Sequence, residues 1–453
     1  MMTSIRKSID NYALIISRSS LARGGLSLAA TQYLSAAIGF GITIFVTRWL
    51  GPNDFGKAAI VMSYPSLLWS FLSFKPVSVT TRYISGFRET GRWDDLKAVI
   101  RWGYGVDVGL SILTLILVSL TAGWVSSHFL GLPEFAWLMV AYASAFPLMA
   151  LAGNSWAILL SWERFSLCAF FQVMPALLEI VLIVIAFFMN AGVVGFVLAR
   201  AAALAASGLG MMMVASLILR REGLGDWWKK QSGQVIFHWR TKFAKLLGWN
   251  YLLVTLSGLV DQLPVMFLGR FRGPEEAGFY RLATSLMVAS TYLQSSAGKV
   301  VYPRLSQWQE IGAVELIKGS LKRWTIWAGL PMFGVLLFVV LLLPVLVPFV
   351  FGSQYKPAIL GAQMMIASVS VSSLFFWLNP LFYAYKRVNV WVKGYLLYAL
   401  AVIALGWFMS QKWGFVGISA FVAIGNVLFT LSMLALVKAG GLWRDDGRMP
   451  SGR

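Results

Sequence analysis

Charge is scarce in this 453-residue sequence: only 12% of residues are Asp, Glu, Lys or Arg, and only 18 of them are acidic. A soluble chain of this length needs a charged surface, so the shortage excludes an ordinary globular protein. The single cysteine, Cys168, excludes a disulfide within the chain and lies in an apolar run, where it is expected to be an inert buried thiol. Two histidines, His128 and His238, stand far apart and offer no metal-ligand spacing. Asp94-Asp95 belongs to WDDLKAVIRW, the pattern of a solvated amphipathic helix and not of a metal site. No phosphate-loop signature is present, which argues against direct driving by ATP. Residues 1–23 lack the small-residue cleavage site of a secretory signal.

What is abundant is apolar. Hydrophobic residues make up 58%, mean hydropathy is +0.72, and 20 tryptophans suit membrane–water interfaces. A helix needs roughly 20 apolar residues to cross a bilayer. Twelve segments meet that need: 24–47, 57–81, 102–124, 135–160, 167–189, 192–218, 248–270, 277–303, 325–350, 358–384, 389–410 and 414–438. An even number puts both termini on one side. With that side cytoplasmic, twenty-eight of the 38 Lys and Arg fall on it, six fall outside, and four, Lys75, Arg200, Arg281 and Lys299, lie within spans. This is the positive-inside asymmetry. It accounts for the net charge of +20 as membrane topology, so no nucleic-acid partner is expected.

The sequence also repeats itself. WLGPNDFG at 49–56 and FRGPEEAG at 271–278 are the same turn, and a shift of 222 superimposes Arg48 on Arg270, Gly51 on Gly273, Pro52 on Pro274 and Gly56 on Gly278. The same shift places Arg82 on Arg304, Trp102 on Trp324, Gly192 on Gly414 and Gly195 on Gly417. One register across six spans predicts an all-α polytopic membrane protein of about twelve helices. Its two parallel six-helix repeats would surround a central cavity. The expected organisation is a cytoplasmic amphipathic segment (1–23), one half (24–218), a basic linker (219–247), a second half (248–438) and a cytoplasmic tail (439–453). The linker stretch VIFHWRTKFAKLLGW mixes basic and apolar residues at helical spacing, as a helix lying on the inner leaflet would. Two halves rocking about a central site suit a transporter better than an enzyme, and one copy of the chain suffices.

The landmarks further resemble a family. RWLGPNDFG at 48–56 is similar to the turn after the first span of Wzx-type oligosaccharide flippases, and FGSQYKPA at 351–358 to their turn between spans 9 and 10. AGVVG at 191–195 and WGFVG at 413–417 look like their later Gly-rich turns, and Arg82 matches the basic residue ending span 2. The resemblance covers roughly 20–438 and points to the polysaccharide branch of the multidrug/oligosaccharidyl-lipid/polysaccharide (MOP) exporter superfamily. It implies translocation of an undecaprenyl-diphosphate-linked oligosaccharide from the cytoplasmic to the outer leaflet of a bacterial or archaeal cytoplasmic membrane. Membrane lipids and the polysaccharide polymerase machinery are the other partners implied. Lys75, in a Lys-Pro pair inside span 2, departs from the small or apolar residues usual there.

Ionisable groups inside spans are costly and tend to face a cavity or a partner. Lys75 lies about 10 Å inside Arg82, and Lys299 about 7 Å inside its repeat counterpart Arg304, at 1.5 Å per residue. One cation per half at similar depth would flank a diphosphate; the plainer alternative is snorkelling to the interface. Arg281, near the outer end of its span, is placed to receive the headgroup late or to snorkel outward. Asn250, Ser257 and Asp261 form a stripe on one face of span 7, and Gln32 with Ser35 occupies the equivalent span 1, so both spans are expected to line the cavity. Asp261 would bind a proton or sodium ion, organise a basic group, or make a packing hydrogen bond; no other cofactor is expected. Glu179 and Arg200 sit at matching depths on either side of one hairpin, as a structural ion pair would, with a pH-sensitive or substrate-linked pair as the alternative, and Asp107 lies near the depth of Lys75. The excess of cationic over acidic candidates favours a flippase over a multidrug/cation antiporter. The short outer loops disfavour a membrane glycan polymerase or ligase.

Overall fold

The computed structural model describes residues 20–73, 77–229 and 235–440. Every element among them is helical. In chain order these are α1 (Ser20–Leu72), α2 (Val77–Glu89), α3 (Trp93–Trp124), α4 (Ala136–Ala143), α5 (Phe146–Ser161), α6 (Phe165–Phe188) and α7 (Gly192–Arg221). They continue as α8 (Val235–Phe271), α9 (Pro274–Glu310), α10 (Val314–Trp324), α11 (Leu330–Phe351), α12 (Ala358–Ser373), α13 (Leu378–Ala384) and α14 (Val388–Lys438). Short π and 3₁₀ turns extend several ends.

Among the described residues, eight helices are long and apolar enough to cross a membrane, or nine if α12 and α13, bent by 48° at their junction, form one broken span. The chain is a multi-pass membrane protein. The sequence reading divides the apolar runs more finely at two places. α1 is interrupted by Gly51 (φ 72) and α14 by Gly414 (φ 59), and both glycines take a left-handed conformation that side chains disfavour. It also counts α9, whose polar face lowers its hydropathy.

The distribution of side chains is that of a chain solvated by lipid. Leu120, Phe188, Trp327 and Phe349 are each about three-quarters exposed. Asn154, Ser155, Ser368, Ser373 and Ser410 are buried. With no water in a bilayer core, such hydroxyls must find partners within the protein. Many turn back on their own helix: Ser63 donates to the Ala59 carbonyl (2.6 Å), Thr114 to Leu110 (2.9 Å) and Ser410 to Gly406 (2.7 Å).

The chain forms two compact units. The first is built from residues up to Thr43, from Phe71–Val125 and from Glu134–Tyr251. Its core joins α3, α5, α6 and α7 through Leu96, Ile100, Ile158, Cys168, Phe171 and Leu219, and Cys168 is buried and free, as an inert thiol would be. Lys97 at the start of α3 pairs with Asp226 at 2.7 Å, and Arg101 donates to the Lys229 carbonyl, so the first residues of the linker are fastened to α3. The Lys97 hydrogen bond holds the Asp226 carboxyl below the usual carboxylate range. The amphipathic stretch 235–249 is helical, forming the start of α8.

The second unit is built from Ile44–Ser70, Ser126–Pro133 and the chain from Leu252 onward. Here α9 packs on α12 and α13, and α12 lies between α11 and α14. The repeated turns meet inside this unit. A Cβ on Gly56 would overlap the Pro274 carbonyl and lie 2.9 Å from the Gly278 nitrogen; a Cβ on Gly278 would overlap the Pro52 carbonyl oxygen and lie 3.2 Å from the Gly56 nitrogen. Each glycine of one turn thus sits against the proline of the other, a reciprocal contact between two copies of one motif. Neighbouring residues of the turns are also engaged. Arg48 donates to the Phe349 and Val350 carbonyls at the end of α11. Arg272 donates to the Gln411 (3.0 Å) and Lys412 (2.8 Å) carbonyls before the Gly414 break. Glu276 accepts from the Phe415 N–H (2.8 Å) just after it, where a helix start leaves such donors unpaired.

The repeat also shows in backbone conformation. Left-handed residues recur in both halves: Gly51 with Gly273, Gly91 with Gly312, Gly131 with Gly352, Glu163 with Lys386 and Gly192 with Gly414. Their separations are 221 to 223 residues, the register seen in the sequence.

Candidate functional site

Three helices of the second unit place the candidate residues. On α8, Asp261 lies one turn before Pro264, whose ring cannot donate to the carbonyl of residue 260. On α9, across the turn at Gly273, Arg281 extends its guanidinium to Asp261, with Nη1 3.4 Å from Oδ1 and 3.5 Å from Oδ2. Gln262 Nε2 donates to the same carboxylate at 2.5 Å. Asp261 therefore lies within ion-pair distance of a basic group. Arg281, named from the sequence as a separate headgroup ligand, is its partner. The pair keeps access to its surroundings: the side chains are 41% and 29% exposed.

Nearly three turns further along α9 lies a cavity of about 600 Å³. Six α9 residues line it, Thr291, Gln294, Ser295, Gly298, Lys299 and Tyr302, at the spacing of one helical face. Opposite stand Asn379, Tyr383, Trp391 and Thr430. Ser372, also at the wall, donates to Gln294 Oε1 at 3.2 Å, orienting the amide. The break between α12 and α13 makes the room: residues 374–377 leave the α-helix, and α13 turns away by 48°. Trp391 is fixed edge-on against Phe429, with ring centroids 4.9 Å apart. Volumes of 300–1,000 Å³ are usual for small-molecule sites. The wall offers one ammonium, amides and hydroxyls as hydrogen-bonding groups, and aromatic faces. That is the equipment to hold an anionic, hydroxyl-rich headgroup.

Other candidates are placed as follows. Lys75 lies outside the described residues, so of the two-cation clamp only Lys299 is positioned. Asn250 stands on α8, its side chain outside what is described. Gln32 is half-buried on α1 in the first unit, beside Thr31, which donates to Gln172 Oε1 on α6 at 3.0 Å. Glu179 and Arg200 come within ion-pair distance across their hairpin, Oε1 to Nη1 3.6 Å, with Glu179 the more buried. Asp107 is buried and accepts from Asn154 Nδ2 at 2.8 Å. Asp95, from the Asp94-Asp95 doublet, pairs with Arg92. Among the described residues no group of His, Cys, Asp and Glu could hold a metal ion. Sequence reasoning passed over Gln294, Asn379 and Trp391. The α9 stripe was visible as polar residues at i, i+3, i+4 and i+8, whereas Asn379 and Trp391 join it only through the bend.

The all-helical membrane fold, with its 222-residue repeat, has counterparts among solved transporters. Among the solved structures that share it are a flippase and two transporters. A lipid II flippase, MurJ, in an inward closed conformation matches 91% of this chain and 87% of its own, at 14% identity and a TM-score of 0.66. An inward-facing multidrug resistance MATE family transporter of the MOP superfamily matches 92% and 100%, at 13% identity and a TM-score of 0.69. A eukaryotic MATE transporter matches 94% and 96%, at 15% identity and a TM-score of 0.64. No curated protein sequence matches. Residues 21–309 match the family model described as polysaccharide biosynthesis protein, and the chain belongs to that family.

Proposed function

We propose that the protein is a Wzx-type flippase that moves a polyprenyl-diphosphate-linked oligosaccharide from the cytoplasmic to the outer leaflet. In this reading it has twelve crossings in two six-helix halves and works by alternating access in a cytoplasmic membrane. The observation that carries the reading is the Lys299 cavity, in a member of a polysaccharide biosynthesis family. Lys299 would neutralise part of the diphosphate. Gln294, Asn379 and Thr430 would hydrogen-bond sugar hydroxyls, and Trp391 and Tyr383 would pack on sugar faces. The lipid tail needs no protein site, because it stays in the bilayer. Asp261 would hold Arg281 in place as the headgroup passes, and a proton or sodium ion competing for the carboxylate would free the guanidinium. The polysaccharide polymerase machinery would take the product.

The multidrug/cation antiporter reading has the MATE folds on its side. Against it stands the pairing of Asp261 with Arg281: the one acid on the α8 stripe is already neutralised by a cation, whereas a cation carrier needs an acid to offer. Proteoliposomes distinguish the two. Protein-dependent passage of a polyprenyl-diphosphate disaccharide, with no proton- or sodium-driven uptake of an organic cation dye, is expected. Dye uptake without glycolipid passage would assign the protein to the antiporters.

A further inference from the structure

A second opening in the same unit lies apart from the proposed glycan site. It is a cleft of about 800 Å³ where α10 meets the end of α14. Lys318 and Lys322 project from successive turns of α10, and Lys438 comes from the last turn of α14. Between them the wall is apolar: Leu321, Trp377 and Val437 are buried, with Ile326 and Leu434 beside them. The Trp377 indole N–H is already given to Thr325 Oγ1 at 2.8 Å, so the ring presents hydrocarbon to the cleft. Lys318 is 2.8 Å from Glu315, and among the described residues neither Lys322 nor Lys438 forms an ion pair.

Its position is as telling as its lining. α10 is amphipathic, with Ile317 and Leu321 buried beneath its lysines. It leads straight into the apolar α11, whose exposed Phe338, Leu341 and Phe349 mark a lipid-facing surface. The cleft lies at that transition, and Ile326 and Trp327 are exposed beside it. Trp324 is stacked on Trp308 there, with ring centroids 5.8 Å apart, as aromatic groups gather at an interface. The Lys and Arg asymmetry assigns this side to the cytoplasm, whose leaflet is rich in anionic lipid. Cationic groups above an apolar slot at a membrane boundary complement one kind of molecule, an anionic head on hydrocarbon chains.

We propose that this cleft is a binding site for an anionic phospholipid, its phosphate held by Lys322 and Lys438, with Lys318 adding charge, and an acyl chain lying along Leu321, Trp377 and Val437. Phe375 lines both this cleft and the Lys299 cavity, so an occupant here leans on the wall of the other opening. The site does not depend on what the protein transports.

The test uses the purified full-length chain in neutral detergent. Phosphatidylglycerol and phosphatidylcholine with identical acyl chains are titrated, and bound lipid is counted by native mass spectrometry alongside the thermal midpoint. Phosphatidylglycerol should be retained and raise the midpoint where phosphatidylcholine does not. Lys322→Gln with Lys438→Gln should weaken retention roughly tenfold or more, and each alone about fivefold. Lys322→Arg with Lys438→Arg should keep it, as should the control Lys356→Gln with Lys412→Gln. The single variants carry the test if the double Gln variant does not fold. Equal retention of the two lipids would overturn the assignment, as would unchanged retention in the single and double Gln variants. Displacement of phosphatidylglycerol by an equal concentration of a polyprenyl diphosphate would reassign the cleft to the carrier lipid.

Discussion

Replacing Gly56 by alanine tests why one turn is written twice. The new methyl would overlap the Pro274 carbonyl and stand 2.9 Å from the Gly278 nitrogen, closer than real Cβ contacts come. Both obstacles are backbone, so no rotamer change relieves them, and the two turns must separate. Overpacking of this kind costs about 1–3 kcal/mol, and backbone walls place it at the upper end. Alanine regains up to about 1 kcal/mol over glycine in a helix, leaving a net loss of roughly 2 kcal/mol. Gly278→Ala meets the Pro52 carbonyl in the same way and should cost a comparable or smaller amount, because its next contacts, 3.1 and 3.2 Å, are looser. Once one methyl has pushed the turns apart, the second finds its space largely made. The double variant should therefore lose clearly less than the sum of the singles, a coupling of at least 0.5 kcal/mol. Gly39→Ala and Gly41→Ala are the controls, since nothing lies within 4 Å of a Cβ at either. Thermal unfolding in detergent, followed by tryptophan fluorescence, ranks all five. Equal tolerance at Gly56 and Gly39, or strict additivity in the double variant, would refute the reciprocal contact.

Exchanging Glu179 and Arg200 should preserve abundance in the membrane, while Glu179→Ala and Arg200→Ala each lower it; equal loss in the exchange would rule out a simple structural pair. Arg281→Gln should impair transport with near-normal abundance, and Asp261→Asn should do the same by leaving the guanidinium unheld. A transport-active Asp261→Asn variant would detach the pair from function. The folded-state shift at Asp226 is downward, so its contribution is present above the ordinary carboxylate range and lost as pH falls below that range. Hydrogen exchange of residues 222–229 should quicken there, and Asp226→Asn should show the fast exchange at neutral pH.

Much of this architecture was legible because bilayers impose strong rules. Long apolar runs, Lys and Arg bias and a 222-residue register reported spans and repeat before any coordinates. Glu179 and Arg200 could be paired because they stand eleven and ten residues from their turn. Asp261 and Arg281 could not, since Asp261 is four residues deeper than Arg281 relative to the Gly273 turn. The length of the arginine side chain closes that gap, and helix register alone does not register it. The contact between Gly56 and Gly278 was hidden because a repeat tells that two turns are alike and not that they touch. The Lys299 cavity needed the bend at 374–377, a feature no local pattern announced. Hydropathy alone also obscures α9, because the face that lines the cavity is the one that lowers its score.

Lys299 is where the proposed function and the structure meet. Wild-type protein and a Lys299→Ala, Asn379→Ala variant should be reconstituted in liposomes with a short-sugar polyprenyl diphosphate and a leaflet-specific probe. The expected result is protein-dependent flipping in the wild type and at least a tenfold slower rate in the variant, with equal reconstitution of both. Flipping at the wild-type rate in the variant would contradict the cavity as the headgroup site.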